Sequence, residues 1–170
     1  MKKILTLTLT LAVLCFAACN QAAKPAPQKE TKAVQSAQGY VLPGLKGDSY
    51  NFTEKINQKP VVVAFMAGFC GWCKKMLPYM DEVASKVPAT KADVIIAFMD
   101  DSASSLTNLE PVKAAKNIDI YYNARELMQE QGVRGFPTIM LFKDGQKVET
   151  WGGYSPDHVA SILEKVNNLK

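Results

Sequence analysis

Histidine and cysteine are scarce in this 170-residue sequence, which contains one histidine, His158, and four cysteines. Two of the cysteines, Cys15 and Cys19, lie in or directly after an apolar N-terminal segment. The other two, Cys70 and Cys73, stand close together in a Cys-x-x-Cys pattern. Too few cysteines remain for a framework of structural disulfides, and a structural zinc site would lack a second cysteine pair.

Most of the chain also has no net charge. The formal net charge is +4, but Lys2, Lys3 and the segment 20–38 account for all of it. The chain from residue 39 onward is therefore formally neutral. Nothing in this charge balance suggests a phosphate-binding face, so we expect no nucleic-acid partner.

The apolar N-terminal run, residues 4–18, is too short to span a bilayer. It follows Lys2 and Lys3, and this arrangement is typical of an export signal. Its end, Phe16-Ala17-Ala18-Cys19, resembles the lipobox of bacterial lipoproteins. We therefore expect a lipoprotein signal peptide at residues 1–18 and a lipidated Cys19. Ordinary signal cleavage, with Cys19 left as a free thiol, is the alternative.

The rest of the chain divides by composition into two parts. Residues 20–38 are rich in Ala, Gln, Lys and Pro and lack aromatic residues, so residues 19–38 are expected to form a lipid-anchored flexible tether. Residues 39–170 are expected to form one domain. Together these features predict a protein of the bacterial cell envelope that is anchored by lipid and faces the periplasm, with the choice of inner or outer membrane left open.

The Cys70-x-x-Cys73 pair is the chemically reactive feature of the sequence. It follows an apolar run, residues 61–66, and precedes a segment with helical spacing of apolar residues. The N–H groups and dipole of a helix N-terminus favour an anion, so the Cys70 thiol should ionise readily and act as the nucleophile. Cys73 lies one turn later and can resolve a mixed disulfide on Cys70. The pair itself would be the redox group, with no further cofactor.

Apolar periodicity and turn residues predict an alternation of strands and helices, followed by a hairpin and a last helix. A capping box of Asn123 and Glu126 is expected to open one helix, and Ser155 with Pro156 another. Asp144-Gly145 is expected to form the turn of the hairpin. The predicted strands are a lead-in within 40–50, then 61–66, 94–99, 118–122, 138–142 and 147–151; the predicted helices are 73–87, 106–116, 123–131 and one from residue 156.

The Cys-x-x-Cys pair, Pro78 within the following helix, and the segment Gly132-Val133-Arg134-Gly135-Phe136-Pro137-Thr138 together resemble the thioredoxin superfamily. The resemblance implies an α/β thioredoxin fold, with a central mixed β-sheet flanked by helices. It also implies that Pro137 is cis and faces the cysteines, and that Phe136 and Pro137 bind substrate. Gly71 and Trp72 lie between the two cysteines, so we expect them to contact substrate as well. The N-terminal lead-in and an extra helix and strand between Met99 and Asn123 are similar to the TlpA/ResA branch of membrane-tethered extracytoplasmic thioredoxins.

Three positions depart from the pattern of these relatives. Ala64 stands where thioredoxins usually carry a buried aspartate, and Met76 stands where the TlpA/ResA branch usually has a glutamate. Phe69 replaces the common tryptophan before the first cysteine, while Trp72 lies within the pair. Without either carboxylate, we expect Cys73 to lose its proton through water or a partner group, and resolution to be slow.

The resemblance implies a thiol-disulfide oxidoreductase that exchanges electrons with cysteines of exported proteins and with an upstream thiol-disulfide partner. We favour a reductase over an oxidase or isomerase of the same fold, and a monomer attached to the membrane through its lipid. Two other classes stay open: a copper-binding metallochaperone-like lipoprotein, which would need His158 near the cysteines, and an interaction lipoprotein without redox activity.

Overall fold

The computed structural model describes residues 39–169. The predicted signal peptide, Cys19 and the tether lie outside these residues, so those expectations stay predictions. Within residues 39–169, no helix is long and apolar enough to cross a bilayer.

The described chain alternates strands and helices, as the apolar periodicity predicts, and ends with a hairpin and a helix. In chain order its elements are β1 (Val41–Pro43), β2 (Ser49–Asn51), α1 (Phe52–Gln58), β3 (Val61–Met66), α2 (Gly71–Lys86), β4 (Asp93–Phe98), a 3₁₀ turn (Ala103–Ser105), α3 (Glu110–Ala114), β5 (Asp119–Tyr121), α4 (Arg125–Glu130), β6 (Thr138–Lys143), β7 (Gln146–Gly152) and α5 (His158–Asn167).

Five strands form a mixed central sheet in the order β5-β4-β3-β6-β7. The three strands β3, β4 and β5 run parallel, and β6 and β7 pair antiparallel beside β3. Asp144 and Gly145 both take positive φ, 51° and 74°, in the turn between β6 and β7. This is the two-residue hairpin that their sequence predicts. The sheet is that of the thioredoxin fold, so the predicted fold class is confirmed.

The lead-in hairpin of β1 and β2 covers one edge of this sheet. Leu45 N–H donates to the carbonyl of Ile120 at 3.0 Å, and Tyr122 N–H donates to the carbonyl of Pro43 at 3.0 Å. These bonds satisfy the outer edge of β5, which would otherwise present unpaired backbone groups. The lead-in is thus an added edge of the sheet rather than a separate unit.

The core has two parts because the side chains of a buried strand alternate between the two faces of the sheet. On β3, Val62, Ala64 and Met66 face the layer of α2 and α5, together with Cys73. Val61, Val63 and Phe65 face the layer of α1 and α4. Every residue of β3 is buried, which explains its uninterrupted apolar sequence.

Helix α1 was not predicted, although its start carries a signal. Asn51 Oδ1 accepts the N–H of Glu54 at 3.2 Å, and Asn51 Nδ2 donates to Glu54 Oε2 at 3.2 Å. This Asn-x-x-Glu sequence is a helix cap of the capping-box kind. The helix packs Phe52 and Ile56 into the core and connects the lead-in to β3.

The capping box predicted at Asn123 and Glu126 is wrong. Asn123 takes a positive φ of 58°, and α4 has Ala124 at its N-cap without a side-chain cap bond. The Asn123 backbone turns because its N–H donates to the carbonyl of Asp100 at 2.7 Å. The predicted end of the helix is confirmed, because Gly132 follows α4 with φ of 73°.

Two other helices begin later than predicted, for local reasons. Pro111 fits only the first turn of a helix, so α3 starts at Glu110 instead of residue 106. Before α5, the N–H groups of His158 and Val159 donate to the carbonyls of Ser155 and Pro156 in tight turns. Ser155 Oγ accepts the N–H of Asp157 at 3.3 Å and caps that turn, and the α-helix itself begins at His158.

Candidate active site

The cysteine pair lies where β3 passes into α2, at the carboxyl end of the parallel strands. Cys70 is the N-cap of α2, and its N–H donates to the carbonyl of Ala67 at 3.0 Å. Cys70 and Cys73 form a disulfide, with their Cα atoms 5.2 Å apart. The structure therefore holds the two sulfurs in the bonded geometry that the Cys-x-x-Cys spacing predicts.

The two sulfurs differ in their access to solvent. Cys70 is partly exposed, whereas Cys73 is only 1% exposed and belongs to the core beneath α2. The N–H of Cys73 donates to Cys70 Sγ at 3.1 Å, and the first turn of α2 carries no acidic residue. These features favour negative charge on the Cys70 sulfur, because a helix N-terminus stabilises an anion there.

No carboxylate accompanies Cys73 in the core. Ala64 and Met76 are both fully buried in the same cluster as Cys73, at the positions where the resemblance implies an aspartate or a glutamate. Within residues 39–169, no polar or charged residue is buried. A reduced Cys73 would thus face an apolar environment, which disfavours its thiolate.

The loop before β6 lies beside the cysteine turn. The Phe136–Pro137 peptide bond is cis, as the resemblance implies. The rings of Phe69 and Phe136 meet edge to face, with their centroids 6.4 Å apart. This contact places Phe136 next to the residue that precedes Cys70. The structure therefore brings together the two motifs that are far apart in the sequence.

The backbone of Phe136 is available for pairing. Its N–H and C=O make no hydrogen bond to other residues between 39 and 169, whereas the carbonyl of Pro137 accepts the N–H of Gly153 at 2.8 Å. An extended chain that lies along this loop can use both free groups in the manner of an added strand. This arrangement supports the predicted roles of Phe136 and Pro137 without testing them.

Trp72 is 56% exposed beside the disulfide, and its ring contacts two neighbouring side chains. Its ring stacks on Tyr154, with centroids 5.5 Å apart and planes inclined by 24°. The Lys75 ammonium lies 4.4 Å from the ring centroid, which is a cation–π distance. A hydrogen bond between Tyr79 and Tyr154 raises the pKa of Tyr154. Trp72 is therefore exposed but fixed in orientation, next to Gly71, which is also exposed.

The sequence interpretation missed Tyr154 and Asp100. Tyr154 follows β7, and only the return of the hairpin brings it to the start of α2. Asp100 follows β4, and its Oδ2 accepts the N–H of Gly68 at 2.8 Å, which ties down the loop before Cys70. A Cβ at Gly68 would lie 2.7 Å from Asp100 Oδ1, so a larger residue there would have to displace this carboxylate. The signal for Asp100 was its place directly after a strand parallel to β3.

Among the described residues, no third metal ligand lies beside the two cysteines. His158 lies in the first turn of α5, as predicted, and its Nε2 is 3.2 Å from the carbonyl oxygen of Gly153. Within residues 39–169, no three side chains of His, Cys, Asp or Glu come together in a way that could hold a metal ion.

A disulfide at a helix N-terminus, on this sheet and beside a cis-proline loop, defines the class of thioredoxin-type thiol-disulfide oxidoreductases. The family model described as "Thioredoxin-like domain" matches residues 53–167. The chain therefore belongs to the thioredoxin-like family, and the resemblance seen in the sequence is confirmed.

Similar proteins include both large and small members of this family. Protein disulfide isomerase-like 1-1 of Arabidopsis thaliana is 34% identical over 121 residues, which cover 69% of this chain and 21% of that protein. Thioredoxin of Staphylococcus haemolyticus is 28% identical over 122 residues, which cover 71% of this chain and 95% of that protein. The chain thus spans about a fifth of the length of the disulfide isomerases it matches.

Solved structures with the same fold include a thiol:disulfide interchange protein and a lipoprotein thioredoxin. A putative thiol:disulfide interchange protein DsbE from Chlorobium tepidum has a TM-score of 0.64 and 20% identity, over 75% of this chain and 90% of that one. The exposed lipoprotein thioredoxin Etrx1 from Streptococcus pneumoniae has a TM-score of 0.60 and 23% identity, over 76% of this chain and 98% of that one. At these identities the likeness is one of fold.

Proposed function

We propose that this thioredoxin-like oxidoreductase exchanges electrons with cysteines of exported proteins, chiefly to reduce or repair their disulfides. The observation that carries the proposal is the unequal pair of sulfurs at the start of α2. Cys70 is partly exposed at the helix N-terminus, and Cys73 is buried one turn behind it. An accessible first sulfur and a protected second one suit an attacking and a resolving cysteine.

In the reducing direction, the Cys70 thiolate attacks one sulfur of a substrate disulfide. A mixed disulfide forms, and the other substrate sulfur leaves as a thiolate that takes a proton from solvent. Cys73 then loses its proton and attacks Cys70 Sγ. The Cys70–Cys73 disulfide forms, and the second substrate cysteine leaves as a thiol. The substrate has gained two electrons and two protons, and an upstream dithiol restores the pair by the same exchange.

The residues around Cys70 would position the substrate for this attack. In the proposal, the free backbone groups of Phe136 pair with an extended substrate segment, and Pro137 forms the floor beside it. Gly71 leaves open space above the disulfide, since a Cβ there would meet nothing within 4 Å. Trp72, held by Tyr154 and Lys75, offers an aromatic face to side chains near the substrate cysteine.

The apolar surroundings of Cys73 make the second step the slow one in this scheme. No buried carboxylate accompanies Cys73 to take its proton, since Ala64 and Met76 occupy the two positions where the resemblance implies one. The proton would leave through water or a group of the partner. A long-lived mixed disulfide is the expected consequence.

We propose the cellular location from the sequence and from the proteins that share this fold. The lipobox-like sequence at Cys19 and the tether predict attachment to the cell envelope, facing the periplasm. The structural neighbours include an exposed lipoprotein thioredoxin and an interchange protein. Growth with labelled palmitate would test the anchor: we expect label on the wild type and none on Cys19→Ala.

The central test uses the full chain with its cysteines replaced one at a time, and insulin as the disulfide substrate. Cys73→Ser should accumulate a mixed disulfide, visible by mass spectrometry, while Cys70→Ser should form none. Loss of either sulfur should lower turnover by more than about a thousandfold. Unchanged turnover in both variants, with an intact fold by circular dichroism, would contradict the proposal.

The direction of electron flow is tested by the reduction potential in glutathione buffers. Within this fold, potentials run from about −270 mV in thioredoxin to about −120 mV in the strong oxidant DsbA. A value on the thioredoxin side of about −200 mV supports a reductase. A value near the DsbA end would instead assign an oxidase.

A further inference from the structure

A groove runs outward from the cis-proline loop on the face of the sheet that carries α4. It encloses about 570 Å³ between the loop 131–138 and the edge strand β7. We refer to the groove lined by residues 131–138, Met140 and the adjoining part of β7 as the β7 groove. Its walls are partly apolar, with Val133, Phe136 and Met140 among them. It is a concave surface large enough for side chains of a peptide.

Two cations line the β7 groove, Arg134 from the loop and Lys147 from β7, and none of its lining residues is an aspartate or glutamate. Lys147 Nζ donates to the carbonyl of Gln131 at 3.0 Å, which holds its ammonium at the groove. Arg134 makes no hydrogen bond or ion pair with any residue between 39 and 169. Its five N–H donors are therefore free for a ligand.

The carboxylates nearest in the chain are engaged elsewhere. Glu149 on β7 pairs with Lys165 of α5 at 2.8 Å, on the other face of the sheet. Glu130, at the end of α4, accepts a hydrogen bond from the Tyr40 hydroxyl. Within residues 39–169, no carboxylate forms an ion pair with Arg134 or Lys147, so both cations can pair with a ligand.

The β7 groove is continuous with the loop that would hold the substrate. Its lining includes Phe136, Pro137 and Gly153, and the Gly153 N–H donates to the Pro137 carbonyl at 2.8 Å. A chain paired with the free backbone of Phe136 would lie next to this groove, because Phe136 is also one of its lining residues. A side chain of that segment can therefore enter it while the substrate cysteine is at Cys70.

We propose that the β7 groove binds an acidic side chain of the substrate polypeptide, on one side of the cysteine that reacts with Cys70. The inference rests on the proposed function and adds a substrate class to it: cysteine segments with glutamate or aspartate in one flank. The carboxylate pairs with Arg134, which can bind it through two N–H groups, and with Lys147 at the other wall. The apolar lining contacts the methylene groups of the same flank.

The test measures the rate at which the reduced protein attacks synthetic peptides. Each peptide has a single cysteine as a mixed disulfide with 2-mercaptoethanol. In one peptide three glutamates precede the cysteine, in a second they follow it, and each has a twin with glutamines instead. The readout is the ratio of kcat/KM for the glutamate peptide to that for its twin. Because only a ratio is compared, changes in folding or intrinsic reactivity cancel.

We expect one of the two flanks to give a ratio of about three to ten at low salt, the size of two partly exposed ion pairs. The ratio should fall towards one at about 0.5 M salt, since screening shortens the reach of exposed charges. It should also fall towards one in the double variant Arg134→Gln, Lys147→Gln. The matched control is Arg125→Gln, which removes the chain's other arginine, an exposed residue outside the groove.

A charge reversal sharpens the test. In Arg134→Glu the preference should change to lysine in the same flank. Equal rates for glutamate and glutamine peptides in the wild type would overturn the inference. A preference for glutamate that persists in the double variant would also overturn it. Both results would leave the proposed function intact. Failure of every peptide to react would overturn the proposed function, and the inference with it.

Discussion

Cys73 and Asp81 lie on the same helix, α2, but their surroundings differ in how well they stabilise a negative charge. Cys73 is enclosed by apolar side chains, and the buried positions beside it hold Ala64 and Met76. Asp81, further along the helix, accepts hydrogen bonds from three backbone N–H groups and one side-chain amide. The difference shows that this fold can stabilise a carboxylate on α2 but does not provide one to the buried sulfur.

The bonds to Asp81 join α2 to the segment that leads into β5. Its Oδ1 accepts the N–H groups of Lys116, Asn117 and Ile118 at 3.0, 2.7 and 3.0 Å, and its Oδ2 accepts Asn117 Nδ2 at 2.9 Å. Desolvation by burial acts to raise the pKa of Asp81, but the hydrogen bonds together outweigh it and the pKa is lowered. Asp81 therefore fastens the extra helix-strand segment to the helix of the active site.

A second polar network lies at the opposite end of the sheet from the cysteines. The Tyr50 hydroxyl donates to Asp93 Oδ2 at 2.9 Å, and Lys59 forms an ion pair with Asp93 Oδ1. Burial is the main cause that raises the pKa of Tyr50, followed by the charge of Asp93. Asp93 begins β4, whereas Cys70 follows the end of β3, which runs parallel to it. The Asp93 carboxylate thus serves as a structural group at a position remote from the sulfurs.

The largest effect is expected when a carboxylate is moved to the sulfur end of α2. Met76→Glu keeps the length of the side chain at a buried position next to Cys73. Glutamate there can take the Cys73 proton, so resolution of a mixed disulfide should accelerate by about tenfold to a hundredfold. Burial should raise the pKa of the new carboxyl, so the gain should grow with pH. Stopped-flow measurement of the resolution step checks both.

The matched control is Met76→Gln, which has the same shape and no base. Both variants should lose about 2–4 kcal/mol of unfolding free energy, because a polar group replaces an apolar one in the core. Equal resolution rates in the two variants would show that proton removal from Cys73 does not limit the reaction.

The next largest effect is expected at Asp81. Asp81→Asn weakens the acceptor for the N–H groups of residues 116–118 and should lower the unfolding free energy at pH 7 by about 1–2 kcal/mol. The lowered pKa of Asp81 means that its stabilisation is complete above the unfolded-state value near 4 and is lost as the pH falls through the folded-state value. The unfolding free energy, measured by urea denaturation, should differ less between pH 7 and pH 3 in the variant than in the wild type. Asp157→Asn, an exposed site, serves as control.

A smaller effect is expected at the far end of the sheet. Tyr50→Phe removes one hydrogen bond to Asp93 but leaves the ion pair with Lys59, so the cost should be about 1 kcal/mol. The reduction potential of the cysteine pair should stay as in the wild type, because the network is remote from it. A changed potential would mean that the two ends of the sheet are coupled.

The smallest effect on stability is expected at Tyr154, which is only partly buried at the edge of the core. Tyr154→Ala removes the ring on which Trp72 stacks and should increase quenching of Trp72 fluorescence by acrylamide. The measurement uses a Trp151→Phe background, so that only Trp72 emits. Tyr154→Phe keeps the ring and serves as control. Unchanged quenching in Tyr154→Ala would show that Lys75 alone holds the indole.

The two Asn-x-x-Glu sequences show that a local sequence pattern does not by itself determine whether a helix cap forms. At Asn51 the pattern caps α1, and at Asn123 it does not, because the backbone of Asn123 is turned by its bond to Asp100. Nothing within four residues of either asparagine distinguishes the cases. The hairpin at Asp144-Gly145 and the buried strand β3 were predictable, since a two-residue turn and an uninterrupted apolar run depend on few neighbours.

The sequence by itself determined the class of fold, the reactive pair Cys70 and Cys73, and the absence of carboxylates at positions 64 and 76. These follow from residue identity, short spacing and a familiar pair of motifs. Only the tertiary structure decided that Tyr154 stacks on Trp72, that Asp100 holds Gly68, and that Arg134 and Lys147 line one groove. Such contacts join distant segments, so they depend on strand order and on which face of the sheet each side chain takes.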